Sequence, residues 1–130
     1  MDNMARVTLE LGGKSPMIVL ADCDAEKAAQ GAAAAIFFNH GQTCSAGSRL
    51  YVHRSISDKV LDRLAELAEA IPLGPGLDPD AQMGPLVSRV QLDRVCHYIE
   101  TGRQEGARLV TGGERADRKG YYVKPTIFAT

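Results

Sequence analysis

Two short stretches of this chain carry residues that could do covalent chemistry. The first, "FFNHGQTCSAGSR" at 37–49, sets Cys44 in a polar run punctuated by glycines. Free backbone N–H groups gathered around a sulfur stabilise a thiolate, and they also stabilise an oxyanion formed beside it. Cys44 is therefore a candidate nucleophile, with a small core hydrophobe as the plainer reading. The second stretch, "LELGGK" at 9–14, places Glu10 in an otherwise apolar run just before Gly12 and Gly13. A carboxylate buried there needs a partner or a task, and burial would raise its pKa towards the range useful for a general base. A salt bridge to Lys14 or Arg6 is the competing reading.

Other candidates fail simple tests. "GGKS" at 12–15 lacks the earlier glycine of a phosphate loop, because Thr8 stands there, and Pro16 blocks the helix that should follow. "GPGLDP" at 74–79 begins like a dinucleotide fingerprint but ends on proline and follows no strand. Neither His40 with Cys44 nor Cys96 with His97 makes a zinc-type ligand set, so no metal is expected. Cys23 lies between two aspartates, which raise a thiol pKa, and Cys96 falls on a helical stripe. His53 and His97 read as structural or surface residues.

Several elements must position these groups. "VTLEL" (7–11) and "MIVL" (17–20) read as strands separated by a turn. Asp22 or Asp24 can cap a helix over about 25–38, with Ala28, Ala32 and Ile36 on one face. "RLYVHR" (49–54) reads as a strand, and Ser57 opens a helix with the stripe Val60, Leu64, Leu67 and Ile71. The prolines and glycines of 72–85 predict a loop. Ser88 and Gln91 fit a capping box, Val87 and Leu92 a hydrophobic staple, and the helix should run to Gly102 or Gly106. "ARLVTGG" and "YYVKPTIFAT" read as closing strands. Strands alternating with helices predict an α/β class, as a partial three-layer arrangement with a mainly parallel sheet and flanking helices.

The totals narrow the function. The chain has 130 residues, 45% of them hydrophobic and 24% charged, with a formal net charge of -1. That size suits about one domain. The near-neutral charge gives no electrostatic basis for binding nucleic acid or an anionic membrane. Aromatic content of 5% with no Trp argues against a base-stacking platform. No stretch is long and apolar enough to span a bilayer, and no signal peptide is evident. Three cysteines at irregular spacing suggest a reducing compartment, with the cytoplasm as the expectation.

Together, "LELGGKSP" (9–16) and "FFNHGQTCSAGSR" (37–49) resemble the glutamate and cysteine signatures of the aldehyde dehydrogenase superfamily. The separation of Glu10 and Cys44 suits that family, and the similarity continues through "GPLVSRVQLDRV", "YIETGRQEGARLVTGGE" and "GYYVKPTIF". The resemblance implies NAD- or NADP-dependent oxidation of a small-molecule aldehyde. Cys44 would add to the carbonyl as a thiohemiacetal and, after hydride transfer, hold a thioester that water activated by Glu10 hydrolyses. It further implies that the Cys44 N–H contributes to an oxyanion hole, that Leu11 and Gly12 approach the nicotinamide, and that Gln91 and Arg94 reach towards the cofactor ribose. Phe38, Thr43 and Ser45 would flank the substrate tunnel. Residues 1–130 would form one segment of the catalytic domain, with the cofactor-binding domain and the C-terminal part outside it. Alone, such a segment is expected to oxidise aldehydes little or not at all and to self-associate as a homo-oligomer. Two other readings remain at this point: a cysteine hydrolase pairing Cys44 with His40 or His53, and a non-catalytic folding or assembly unit.

Overall fold

A computed structural model describes residues 6–130. The chain enters strand β1 at Pro16–Val19, crosses through helix α1 at Ala25–Phe37, and returns as β2 at Arg49–Val52. β1 and β2 pair in parallel, from Pro16 opposite Arg49 to Val19 opposite Val52. Helix α2 follows at Ser57–Glu69, then a long loop, helix α3 at Arg89–Gln104, and the strands β3 at Arg108–Thr111 and β4 at Ile127–Ala129. β3 and β4 pair antiparallel, with an irregularity between Leu109 and Thr111. The α/β class is as the pattern of elements requires. The parallel pairing expected of the sheet is found in the first ladder, and the second ladder runs the other way.

Capping chemistry sets where the helices begin and end. Asp24 accepts a hydrogen bond from the Lys27 amide at 3.1 Å and starts α1. Ser88, in extended backbone, accepts from the Gln91 amide at 3.2 Å and starts α3. The expected staple across that start does not form: Leu92 is fully buried, but Val87 is 80% exposed. The Val87 amide instead donates to Gln42 Oε1 at 3.0 Å. At the other end of α3, the Ala107 amide bonds to Gly102 O at 3.0 Å and the Gly106 amide to Arg103 O at 3.1 Å. That double closure needs a left-handed residue, and Gly106 supplies it at φ +84°.

Helices α1 and α2 pack on each other and bury one core of Ala29, Ala32, Phe37, Val60, Leu64, Ala68 and Met83. The buried line on α1 runs through Ala29 and Ala32, with Ala28 and Ile36 at its border, so the packing face is turned by one residue from the expected one. Removing each of Val60 and Leu64 from water contributes about 1.5–3 kcal/mol. Arg63 on α2 bonds to Glu26 on α1 at 2.7 Å and to Glu66 at 2.8 Å, which holds the Glu26 carboxyl below its usual range. A second core of Leu86, Leu92, Ile99 and Val123 sits under α3. Phe128 of β4 packs against that second core, so α3 and the antiparallel ladder share it.

Candidate active site

Cys44 lies in the crossover that leaves α1 and enters β2. Past Phe37 the backbone turns left-handed at three successive residues: Asn39 at φ 50°, His40 at φ 58° and Gly41 at φ 72°. Glycine does this freely and asparagine tolerates it, but for His40 the conformation costs roughly 1–2 kcal/mol. Local bonds hold the turn wound. The Asn39 carboxamide donates to Gln42 O at 3.0 Å, the Gln42 amide donates to Asn39 O at 3.1 Å, and Gln42 Nε2 donates to the same carbonyl at 3.2 Å. Two longer-range bonds fasten it to the loop before α3. His40 Nδ1 donates to Gly84 O at 2.8 Å, and Gln42 Oε1 accepts from the Val87 amide at 3.0 Å.

Downstream the loop is closed again. The Ala46 amide bonds to Thr43 O at 3.1 Å and the Gly47 amide to Ala35 O on α1 at 3.1 Å. Ala46 and Gly47 are buried, whereas Cys44 and Ser45 stand exposed at the crest between the two anchors. Among the described residues neither the Cys44 nor the Ser45 amide donates a hydrogen bond, so both remain open to an incoming oxygen. Cys44 is a free thiol. Exposure and a firmly held backbone remove the core-hydrophobe reading of this residue.

The glutamate segment reaches the same loop, though not as a strand. Residues 7–11 form no strand and pair with none among the described residues, with Val7, Leu9 and Leu11 about 70% exposed (71%, 70% and 71%). Glu10 is likewise exposed, which corrects the expectation of a carboxylate buried in a strand. A period-two apolar run can pair only where a partner edge lies beside it, and β1 gives its one described ladder to β2. No bond joins Glu10 to Lys14 among the described residues; Lys14 Nζ donates to Gly13 O at 3.3 Å. Two residues past Leu11, Gly13 packs directly on the cysteine loop: a Cβ built there would lie 2.9 Å from the Cys44 carbonyl oxygen. Arg49 ties the same junction from β2, its amide to Ser15 O at 3.3 Å and its Nε to Lys14 O at 2.9 Å.

The remaining predicted positions are placed less closely. Gly12 has nothing within 4 Å of where a Cβ would stand, and beside it Leu11 is open, so a flat group can approach this backbone. Phe38 is 72% exposed at the start of the left-handed turn, and Thr43 is half-buried. Gln91 and Arg94 lie on the first turns of α3, half-buried and exposed respectively, beyond the 84–87 segment that bonds to the cysteine loop. Gly13 and Gln42 escaped the reading of the sequence as parts of this site, and His40 was weighed there only as a base or metal ligand beside Cys44, although Asn39 and Gly41 were the available cue to a left-handed turn. Neither histidine considered as a base is idle. Gly84 O can only accept, so His40 Nδ1 carries a hydrogen, and His53 Nδ1 accepts from the Ser55 amide at 3.3 Å. Burial lowers the His40 pKa below its ordinary 6.5, against a smaller pull upward from the backbone at Gly84 and Val123.

A cleft of about 650 Å³ opens between β2 and β4, walled by residues such as Ile36, Leu50 and Leu64, but neither Cys44 nor Glu10 lines it. Among the described residues no cluster of three His, Cys, Asp or Glu side chains could hold a metal. No described helix is long and apolar enough to cross a membrane.

The aldehyde dehydrogenase family model matches residues 1–130. The chain belongs to the aldehyde dehydrogenase family. It is 56% identical over 128 residues to phenylacetaldehyde dehydrogenase from Pseudomonas fluorescens, covering 98% of this chain and 26% of that protein. It is 52% identical over 128 residues to a betaine aldehyde dehydrogenase from Cereibacter sphaeroides, with the same coverage of each. This aldehyde dehydrogenase chain thus spans about a quarter of the length of the curated relatives it matches. Among solved structures, an aldehyde dehydrogenase from Bacillus cereus in complex with NAD+ superposes with a TM-score of 0.90 at 55% identity, over 95% of this chain and 25% of that one. PnpE in complex with nicotinamide adenine dinucleotide superposes with a TM-score of 0.91 at 46% identity, over 97% of this chain and 27% of that one. These likenesses cover 95% and 97% of this chain, so its fold is that of part of an aldehyde dehydrogenase.

Proposed function

We propose that this chain carries the nucleophile and the general base for the oxidation of an aldehyde to a carboxylic acid. Cys44 is the nucleophile and Glu10 the base. The observation that supports this most is the contact of Gly13 with the Cys44 carbonyl, which brings the glutamate segment onto the cysteine loop.

The chemistry follows from the residue types. The Cys44 thiolate forms a C–S bond to the aldehyde carbon, and the carbonyl oxygen becomes an oxyanion that the open Cys44 N–H can stabilise. NAD or NADP, when bound, supplies a hydride acceptor for that carbon. Leu11 and Gly12 would face the nicotinamide, where the open backbone of Gly12 suits a flat ring. Gln91 and Arg94 would lie towards the ribose, and Phe38, Thr43 and Ser45 beside the substrate. Once a thioester stands on Cys44, Glu10 takes a proton from a water molecule as its oxygen adds to the acyl carbon. The C–S bond then breaks, releasing a carboxylic acid and restoring the thiolate.

Acyl transfer to Cys44 needs no cofactor, so it isolates the part of the reaction assigned to this chain. Purified chain mixed with p-nitrophenyl acetate is expected to release a burst of nitrophenolate and to carry one acetyl group on the peptide containing Cys44. A burst of unchanged size in Cys44→Ala defeats the proposal. Hydride transfer requires donor and acceptor held in register. Leu11, Gly12, Gln91 and Arg94 do not by themselves enclose a dinucleotide, so the chain alone is expected to form little NADH from an aldehyde. Self-association belongs to the same proposal, supported by Ile18, Leu20 and Tyr51, which are 71%, 60% and 56% exposed. Light scattering across a concentration series measures it.

A further inference from the structure

The bonds around the left-handed turn assign a task to a residue next to the nucleophile's own tripeptide. The Gln42 side chain bonds in two directions. Its Nε2 donates back to Asn39 O at 3.2 Å, and its Oε1 accepts from the Val87 amide at 3.0 Å. The first bond closes the turn in which Asn39 and His40 hold unusual left-handed backbone. The second fastens that turn to the segment leading into α3, beside the His40 bond to Gly84 O at 2.8 Å. A strained backbone persists only where its surroundings over-determine it, and here a single carboxamide supplies two of the constraints. The far end of the loop is already fixed by the Gly47 amide on Ala35 O at 3.1 Å and by Gly13 on the Cys44 carbonyl. With that end anchored, slack introduced at Gln42 has one place to go: the half-buried Thr43 and the exposed crest of Cys44 and Ser45.

We propose that Gln42 is a positioning residue, whose carboxamide clasp between Asn39 O and the Val87 N–H fixes the direction in which Cys44 and its open amide face a substrate carbonyl. It rests on the assignment of Cys44 as nucleophile. It goes further by naming what sets the aim of that group, and by tying the aim to the segment that opens α3.

Two reactions of the same thiol separate positioning from mere stability. Acylation by p-nitrophenyl acetate needs the amide placed to receive an oxyanion, whereas alkylation by iodoacetamide needs only an accessible thiolate. Cys23, exposed in the turn after β1, serves as the internal reference for alkylation. Gln42→Met, of similar volume and unable to make either bond, is expected to slow the acylation burst on the order of tenfold. The ratio of Cys44 to Cys23 alkylation should stay near that of the unaltered chain. Gln42→Glu keeps the acceptor for Val87 and should acylate at an intermediate rate. Equal acylation by Gln42→Met and the unaltered chain overturns the inference, as does a parallel fall in acylation and alkylation. Hydrogen exchange at the Val87 amide of the unaltered chain is the independent measurement. Protection there is expected, and exchange at the rate of an open loop overturns the clasp even if the variants do not fold. Failure of the unaltered chain to acylate while it still alkylates counts instead against Cys44 as the nucleophile.

Discussion

The α-carbon of Gly13 faces the carbonyl oxygen of Cys44 so closely that a methyl group there would stand 2.9 Å from it. Two segments far apart in the chain thus meet backbone to backbone, with no side chain between them. The atom opposite Gly13 belongs to the main chain and cannot swing aside, so the fit depends on the absence of a Cβ. Gly13→Ala should therefore push the glutamate segment off the cysteine loop. A loss of about 1–3 kcal/mol in urea denaturation is expected, as for other overpacked contacts. Acylation of Cys44 should fall by roughly a hundredfold, because displacements near an ångström cost that much. An alanine variant with native stability and a native burst would show that the contact has no such role.

Glu10→Gln separates chemistry from folding. The carboxylate is exposed, so its loss should change stability by less than about 0.5 kcal/mol. If Glu10 is the base, the acetyl group on Cys44 should persist, with turnover after the burst slowed by ~10²-fold or more. Mass spectrometry of the intact chain follows the acetyl group directly, and its prompt disappearance in Glu10→Gln assigns the water to another base.

His40 should make the fold sensitive to mild acid. Burial lowers its pKa in the folded chain below the 6.5 of the free side chain. Between those two values the unfolded chain binds more protons, so stability rises with pH across that window. The contribution is complete above pH 6.5 and is lost as the pH falls through the lower, folded value. Denaturation midpoints at pH 8 and pH 5 should differ less in His40→Asn than in the unaltered chain. Asparagine is the informative replacement because it accepts the left-handed backbone. An undiminished difference in the variant moves the acid sensitivity to other groups.

The start of α3 offers a test of packing. Leu92 is wholly buried in the second core, and Leu92→Ala should cost about 2–5 kcal/mol. Val87 is 80% exposed and contributes only its amide, so Val87→Ser should stay within about 0.5 kcal/mol. A staple between these residues, if it formed in solution, would make the second substitution costly as well.

The contrast between Leu92 and Val87 also shows what could be read from the residues alone. Asp24, Ser88 and Gly106 act through bonds to amides or carbonyls a few positions away, so their helix boundaries were legible. Cys44 and Glu10 stood out as candidates because their residue types are unusual in their settings, and the structure leaves both exposed. What failed was everything that required knowing a neighbour. "VTLEL" has the alternation of a strand but no described partner edge, and Glu10 lost its expected burial with it. The buried face of α1 took in Ala29 beside the expected Ala32, because seven of its thirteen residues are alanines and mark no side. Gly13 and Gln42 have no distinctive type or spacing. Their roles exist only once the loop at 84–87 and the cysteine crest have come together.

The crest that presents Cys44 is also the link that returns the chain from α1 to β2. Its closing bond, Gly47 to Ala35, and the first rung of the ladder, Pro16 beside Arg49, lie two residues apart. Loosening the Gly47 end of this stretch would therefore disturb the ladder that begins beside it. Heating that frays the first ladder should accordingly change the accessibility of the Cys44 thiol in the same transition.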